Sequence, residues 1–346
     1  MAVLVKTNRR VTLAARPVGF PKASDFAFDE VEVGEPGPGE VLVRTLWVSV
    51  DPYQRGRMSE ARSYAKSLEL GDVITSQSIG EVIESHDGRY SPGDLVVGQL
   101  GWQEYAVARA GSVRRVPELL DPPTLALHVV GATGMAAYFG LLDVGRPKPG
   151  DTVVVSGAAG AVGQVVGQIA KLAGCRTVGI AGGPEKCTDC ASYGYDLALD
   201  YKDKGFREAL KSACAEGVDV YFDNVGGELS GAVHRRLNVG ARIVVCGQVS
   251  QYNLERPEPT FHPALLIVFR ARMEGFLVND YAHRFDEAAQ RLARWVAEGK
   301  IRWREDVTNG LENAPAAFMG MLRGENRGKA LVKVADVERM DIEEAL

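Results

Sequence analysis

The chain has 346 residues, of which 46% are hydrophobic, and it carries a formal net charge of −5 at pH 7. This length predicts two domains, and the acidic balance excludes a general affinity for nucleic acid, whose phosphates need a basic face. The five cysteines follow no disulfide spacing, which predicts free thiols in a reducing, cytoplasmic compartment.

The first residues hold no apolar run of the length that a secretory signal needs. The most apolar stretch, residues 125–144, is long enough to span a membrane, but His128, Thr133 and three glycines interrupt it. We therefore predict a buried helix at a domain junction there, and no membrane partner.

The first third of the chain predicts a β-rich domain. Glu40–Val50 is rich in β-branched and apolar residues, and further short apolar segments follow between turns that contain glycine or proline. Such a pattern is typical of a barrel or a sandwich.

Strands and helices alternate in the next part of the chain. The apolar run Val153–Val155 predicts a buried strand, apolar residues at helical spacing follow it, and Pro184 can open a later helix at its first position. This alternation predicts a parallel sheet covered by helices.

β-like segments return near the C-terminus, after Lys300. We therefore expect a discontinuous first domain, formed by residues 1–124 and 305–346, and a second domain formed by residues 125–304.

The turn after the first strand of the second domain carries three glycines, Gly157, Gly160 and Gly163. A turn from strand to helix presents free backbone N–H groups and the positive end of the helix dipole, and glycines let a pyrophosphate approach the backbone. The spacing is G-x-x-G-x-x-G rather than G-x-G-x-x-G. In its βαβ context it predicts a dinucleotide site, with close helix packing as the alternative.

The end of the following strand indicates which dinucleotide is bound. NAD enzymes place an acid there against the ribose hydroxyl, whereas this chain has Gly182 and Gly183, with Lys186 nearby. A lysine can pair with the 2′-phosphate of NADP, so the pattern favours NADP(H). The alternative for Lys186 is an ordinary surface lysine on a helix.

Seven segments follow one another over nearly the whole chain: VSVDPYQRGRM, SGAAGAVGQVVGQIAKLAGC, GIAGGPEK, YFDNVGG, CGQVSQYN, MEGFLV and GENRGKALVKV. Together they resemble the medium-chain dehydrogenase/reductase superfamily, and within it the branch of prostaglandin reductases and alkenal double-bond reductases. The resemblance implies an α/β protein with a GroES-like β-barrel domain and a Rossmann domain of doubly wound parallel sheet. It also implies a homodimer that uses NADPH to reduce the carbon–carbon double bond of α,β-unsaturated ketones or aldehydes.

The resemblance further implies a set of cofactor contacts. The pyrophosphate would meet Gly160, Ala161, Val162 and Gly163, and the 2′-phosphate would meet Lys186 and Tyr201. The remaining contacts would come from Asn224, Cys246, Gly247, Gln248, Val249, Ser250, Gln251 and Tyr252, with Phe276, Leu277, Val278 and Asn326 beside the nicotinamide.

Zinc-containing members of the superfamily carry a Gly-His-Glu motif and a four-cysteine lobe, and this sequence has neither. We expect the five scattered histidines to be surface or packing residues and the enzyme to use no metal. The expected absence of a Lewis acid argues against an alcohol dehydrogenase.

Hydride transfer to the β-carbon of an enone leaves an enolate, which a hydroxyl group can stabilise. Tyr53, in the VDPY turn, is the first candidate for this role, and Tyr252 is the second. The alternative for Tyr53 is packing of the cleft wall, and the alternative for Tyr252 is packing against the cofactor alone. Some relatives carry a tyrosine before the R-M-E-x-F segment, where this chain has Val268 and Phe269. We therefore predict a preference for hydrophobic enones or enals.

Two other functions stay open. One is a zinc-free NADPH quinone reductase, which would share the fold and the cofactor. The other is a non-enzymatic NADPH-binding protein. Consumption of NADPH with enones and with quinones separates the three.

Overall fold

The structure is a computed structural model that describes residues 7–256, 258 and 262–336. In the first and last parts of the chain the strands are β1 (Thr7–Leu13), β2 (Phe26–Glu32), β3 (Glu40–Ser49), β4 (Gln77–Ser85), β5 (Leu95–Gln99), β6 (Tyr105–Arg109), β7 (Val113–Arg115), β14 (Glu305–Asn309) and β15 (Lys329–Lys333). The helices there are α1 (Tyr53–Arg57) and α9 (Ala314–Leu322).

The middle of the chain forms the second sheet. Its strands are β8 (Thr152–Ser156), β9 (Arg176–Ala181), β10 (Leu197–Asp200), β11 (Val218–Asp223), β12 (Leu237–Val245) and β13 (Arg272–Gly275). Its helices are α2 (Ala132–Phe139), α3 (Gly163–Leu172), α4 (Pro184–Ser192), α5 (Phe206–Ala213), α6 (Gly227–His234), α7 (Ala264–Phe269) and α8 (Phe285–Ala297). Short 3₁₀ segments lie at Ala23–Asp25, Ala110–Ser112, Pro123–Leu127, Val249–Gln251, Val278–Arg284 and Leu311–Asn313.

The second sheet confirms the predicted Rossmann arrangement. Its six strands are all parallel, in the order β10-β9-β8-β11-β12-β13. Every residue of β8 is buried, as expected of a central parallel strand covered on both faces. The chain order reverses between β8 and β11, and ligands of open α/β sheets bind at such a switch point.

The other large sheet has seven strands and contains the C-terminal segment. β15 pairs antiparallel with β3, with Leu331 opposite Ser49, and β14 pairs parallel with β15. The last part of the chain therefore returns to the N-terminal sheet, next to the segment that leads into α1.

Residues 125–144 differ from the single helix predicted there. A 3₁₀ turn, α2 and a π-helical turn (Gly140–Gly145) share the stretch. A Cβ on Gly131 would lie 2.2 Å from the carbonyl oxygen of Ala126, and one on Gly134 would lie 1.7 Å from that of Val129. The chain thus folds back on itself at these glycines. In a continuous helix, each glycine would lie farther from the carbonyl oxygen five residues before it. Within the described ranges no helix is long and apolar enough to cross a membrane.

Candidate functional site

The glycine turn after β8 is closed tightly on itself. Gly157 has φ +62°, and a Cβ on Gly163 would lie 2.2 Å from the carbonyl oxygen of Gly157. Only glycine fits this approach, which brings the start of α3 against the end of β8. The amide group of Val162 precedes the first turn of α3, where the N–H groups have no partner within the helix. The turn is therefore a cradle of free N–H groups that fits a pyrophosphate.

A second corner of the site forms where β9 and β10 end side by side. A Cβ on Gly182 would lie 2.8 Å from Cε1 of Tyr201, so the tyrosine ring packs directly on Gly182 at the end of β9. The Oδ1 atom of Asp200 accepts hydrogen bonds from the amides of Gly183 (2.8 Å) and Lys202 (2.9 Å) and holds the two turns together.

Lys186 lies beside this corner, in the first turn of α4. Its Nζ donates to the carbonyl oxygen of Gly324 at 2.7 Å. Burial lowers the pKa of Lys186, and the positive charge of Lys202 lowers it further. Two cations held close together favour an anion between them, and a 2′-phosphate would supply that charge.

The C-terminal segment of residues 324–328 crosses to the Rossmann domain here. Arg327 forms two hydrogen bonds with Asp189 of α4, at 2.8 and 2.7 Å. Gly328 pairs with Gly160 of the glycine turn in a short parallel bridge. The Nδ2 atom of Asn326 donates to the carbonyl oxygen of Gly328 at 2.8 Å. The predicted contact Asn326 thus lies on a segment fixed against the glycine turn.

Asn224 lies on the other side of the glycine turn, directly after β11. Its backbone amide donates to Oγ of Ser156 at 2.9 Å, and its Nδ2 donates to the carbonyl oxygen of Ser156 at 2.8 Å. These bonds join the carboxyl ends of β8 and β11 at the switch point.

The loop after β12 is hydrogen-bonded to the backbone at the end of β11 and in the turn that follows it. The amide of Cys246 donates to the carbonyl oxygen of Asp223 at 2.9 Å, and the amide of Ser250 donates to that of Val225 at 3.0 Å. The structure thereby brings Asn224 beside a loop in which every residue was also predicted to contact the cofactor. The residues of this loop are Cys246, Gly247, Gln248, Val249, Ser250, Gln251 and Tyr252.

Three of the residues predicted beside the nicotinamide follow β13. A Cβ on Gly140 would lie 2.5 Å from Cζ of Phe276, so the Phe276 ring packs into the core against α2 and its π-helical extension. Val278 packs against the same core, and Leu277 is 38% exposed.

The two candidate tyrosines lie on segments that contact each other. Tyr53 begins α1 in the N-terminal sheet domain, and Tyr252 ends the loop after β12. Arg55, two residues after Tyr53, donates to Oδ1 of Asn253 at 3.2 Å, which ties the two segments together. Tyr64 interacts electrostatically with both Tyr53 and Tyr252, so a third hydroxyl belongs to the same group.

These hydroxyls are held in their protonated form. Burial raises the pKa of Tyr53, and the negative charge of Asp51 raises it further. Burial also raises the pKa of Tyr252. The Tyr53 hydroxyl lies near the Gln99 side chain but forms no hydrogen bond of normal geometry with any described residue. A protonated phenol without a partner can donate to a substrate oxygen.

The Cys246 thiol lies in the same region. Burial, and then the charge of Asp223, raise its pKa to about 12. Since the thiolate is the nucleophilic form, this cysteine stays unreactive at neutral pH.

Within residues 7–256, 258 and 262–336, no group of three or more His, Cys, Asp or Glu side chains could hold a metal ion. Two of the histidines are buried, His128 and His234, and the other three are exposed. Catalysis without a metal stays a prediction.

Sequence reasoning missed several members of the site. Tyr64, Lys202 and Arg327 were not predicted as site residues, and the folded chain brings each of them near a predicted one. Lys202, directly after Tyr201, is the one that a closer reading of the strand ends could have found.

The chain also matches known proteins. Residues 9–116 match the family of N-terminal domains of oxidoreductases, and residues 161–294 match the zinc-binding dehydrogenases. The NADPH-dependent curcumin reductase of Escherichia coli is 44% identical over 335 residues, which cover 95% of this chain and 97% of that protein. Prostaglandin reductase 1 of Bos taurus is 44% identical over 329 residues, covering 93% and 98%.

The chain belongs to the medium-chain dehydrogenase/reductase superfamily. Its branch is that of the prostaglandin and alkenal reductases, as the sequence predicted. The crystal structure of CurA in complex with NADPH from Vibrio vulnificus has a TM-score of 0.91 and 44% identity, covering 95% of this chain and 99% of that one. The fold and the cofactor predictions are thereby confirmed: this reductase is an NADP-dependent oxidoreductase.

Proposed function

We propose that this reductase uses NADPH to reduce the carbon–carbon double bond of hydrophobic α,β-unsaturated ketones and aldehydes, without a metal. The observation that carries the proposal is the group of protonated phenols at the cleft, one of them without a hydrogen-bond partner among the described residues. The cleft lies between the proposed domains of residues 1–124 with 305–346 and of residues 125–304.

The proposed cofactor site follows from the geometry. The free amides of the glycine turn would hold the pyrophosphate, and Lys186, Tyr201 and Lys202 would hold the 2′-phosphate. The loop of residues 246–252 would enclose the nicotinamide half. When bound, NADPH supplies a hydride for the β-carbon of the substrate.

Tyr53 would donate a hydrogen bond to the carbonyl oxygen of the substrate and stabilise the enolate charge that develops there. The phenol is protonated at neutral pH, as this role requires. Tyr252 is the second donor and lies within the cofactor loop, where its hydroxyl accepts a hydrogen bond from the amide of Gln248 at 3.3 Å. Orientation of the alkene between these two sides accounts for much of the rate enhancement.

The relatives support the same reaction type. They are a curcumin reductase, a prostaglandin reductase and a 2-alkenal reductase of Nicotiana tabacum that is 40% identical over 336 residues. Val268, where some relatives have a tyrosine, is 59% exposed on α7. We propose that hydrophobic enones and enals are preferred over prostaglandins.

A substrate screen tests the function. We expect NADPH depletion with medium-chain enones and enals, with a saturated carbonyl product, and slower turnover of quinones. Faster turnover of quinones would instead favour the quinone reductase, and no depletion with any acceptor would favour a non-enzymatic NADPH-binding protein.

We also propose a homodimer. β13 is an edge strand of the six-stranded sheet, and apolar side chains are exposed beside it, with Ile267 at 80% and Val268 at 59%. An exposed edge next to apolar side chains is a surface that pairs with another strand, and a second copy would cover both. Light scattering should give twice the chain mass of 37.3 kDa; a monomer across the micromolar range would contradict the proposal.

A further inference from the structure

A buried carboxylate lies at the centre of the switch point. Asp223 ends β11 and is only 4% exposed. Its Oδ1 atom accepts hydrogen bonds from Ser156 Oγ (2.9 Å), Tyr221 Oη (2.9 Å), Val225 N (3.0 Å) and Gly226 N (3.0 Å), and its Oδ2 atom accepts one from Ser230 Oγ (2.6 Å).

Hydrogen-bond donors surround the negative charge of this carboxylate. None of the ion pairs in the described parts of the chain involves Asp223. His234 lies close enough to interact with it electrostatically, but burial lowers the pKa of that imidazole and keeps it neutral. A buried charge without a counter-ion is strongly unfavourable unless hydrogen bonds replace its water. The donors must therefore stay in place around it.

The donors come from several separate segments. Ser156 ends β8, Val225 and Gly226 form the turn after β11, and Ser230 lies in α6. Ser156 also accepts the amide hydrogen of Asn224 at 2.9 Å, so the carboxylate acts on that residue through a single hydroxyl.

The backbone of the same residue holds the loop after β12. The carbonyl oxygen of Asp223 accepts hydrogen bonds from the amides of Cys246 (2.9 Å) and Gly247 (3.1 Å), and that of Val225 accepts one from Ser250 (3.0 Å). A movement of the turn after β11 would move this loop with it.

We propose that Asp223 is a positioning residue that shapes the nicotinamide half of the NADPH site. It would contact no ligand itself; it fixes Asn224 through Ser156 and fixes the loop of residues 246–252 through its turn. The proposal rests on the assignment of that loop to the nicotinamide half under Proposed function.

The test compares two ligands by titration calorimetry. Adenosine 2′,5′-bisphosphate carries only the adenosine half of the cofactor and would bind at Lys186 and Tyr201, away from Asp223. Asp223→Asn replaces an acceptor atom by an NH₂ group that faces donors and removes the charge. We expect the Kd of NADPH to rise by about tenfold, because a displaced loop would hold the nicotinamide half less well, while the Kd of the bisphosphate changes less than about twofold.

Asp219→Asn is the matched control. Asp219 lies on the same strand, at its amino end, and accepts hydrogen bonds from the amide of Thr152 (2.8 Å) and from Nδ2 of Asn238 (2.9 Å). Its substitution should lower the melting temperature and leave both Kd values unchanged. Lys186→Ala, in contrast, should weaken both ligands.

A second variant covers the case in which Asp223→Asn does not fold. Ser156→Ala removes only the hydroxyl between Asp223 and Asn224, and we expect the same selective loss of NADPH affinity, with a smaller size. Equal weakening of both ligands, or no change in either, in the variants that fold would overturn the inference. If the wild-type protein binds NADPH but reduces no enone, the proposed reaction fails while the selective loss still tests Asp223.

Discussion

The hydroxyl of Tyr53 is buried and lacks a hydrogen bond of normal geometry to the described residues. Such a group is unfavourable for folding, and a substrate carbonyl would supply the acceptor that it lacks. We therefore expect Tyr53→Phe to lower kcat/KM for a medium-chain enone by about a hundredfold, as removal of an oxyanion donor does elsewhere. The melting temperature and the Kd of NADPH should not fall.

Tyr90→Phe is the control for this change, because the Tyr90 hydroxyl donates to the carbonyl oxygen of Val113 in the sheet of the N-terminal domain. It should leave kcat/KM unchanged. Unchanged turnover in Tyr53→Phe would remove that residue from the mechanism.

We propose that Lys186 recognises the 2′-phosphate of NADPH. Lys186→Ala should raise the KM of NADPH by about tenfold or more, the loss expected for a charge-assisted hydrogen bond, and alter the KM of NADH by less than about twofold. Lys211→Ala, at an exposed position on α5, serves as the control. Equal effects on the two cofactors would refute the phosphate assignment.

Local pattern explains which residues of the site the sequence could predict. The glycines after β8 and Gly182 with Lys186 stand at strand ends, where neighbouring residues alone indicate a phosphate site. Tyr64 carries no such pattern, and Asp223 was not predicted although it ends a strand. The cleft position of Tyr64 and the hydrogen bonds of Asp223 depend on segments far apart in the chain, so only the fold reveals them.

At the scale of the element, the start of α3 depends on Gly163. A Cβ there would lie 2.2 Å from the carbonyl oxygen of Gly157 and 2.6 Å from Cα of Ala158. Because those atoms belong to the backbone, Gly163→Ala must push the helix away from the strand. We expect a loss of about 1–3 kcal/mol in the free energy of unfolding and loss of NADPH binding.

Gly111→Ala is the matched control, since nothing lies within 4 Å of a Cβ at that position. Urea unfolding and NADPH titration of both variants measure the difference. Full NADPH affinity in Gly163→Ala would show that the close turn is not needed for the cofactor.

The observed helix boundaries show where the spacing of apolar residues was not enough to predict the helices. Pro184 opens α4 as expected. Residues 125–144 have enough apolar residues for one helix, but the close contacts at Gly131 and Gly134 divide it. Those contacts involve preceding backbone atoms, which a count of apolar residues does not register.

At the scale of the whole molecule, His128 is fully buried beside the glycine turn after β8. Its Nε2 atom lies 3.3 Å from the carbonyl oxygen of Ala161 in the glycine turn and 3.1 Å from Nε2 of Gln164. Burial, and then the charge of Lys329, lower its pKa from 6.5 to about 3. The unfolded chain therefore binds a proton below pH 6.5 that the folded protein excludes, and stability falls as the pH falls through that window.

His128→Gln should remove this dependence. Between pH 7 and pH 5 the wild-type protein should lose about 2 kcal/mol more in its free energy of unfolding than the variant does. Urea unfolding at the two pH values measures the difference. Equal losses in both proteins would show that His128 can be protonated in the folded state.

The return of the C-terminal segment to the first sheet was predicted from its β-like sequence, and β15 does pair with β3. The bridge between Gly160 and Gly328 and the pairing of Arg327 with Asp189 were beyond prediction, because they join the two domains across the cofactor site. The boundaries of the two domains stay a prediction.

The fate of the transferred hydride tests the proposed reaction most directly. NADPH that carries deuterium at both C4 positions is incubated with the wild-type protein and a medium-chain enone, and the product is analysed by NMR and mass spectrometry. The proposed function predicts a saturated ketone with one deuterium on the β-carbon. Deuterium on the carbonyl carbon of an allylic alcohol, or recovery of the unreacted enone, would contradict it.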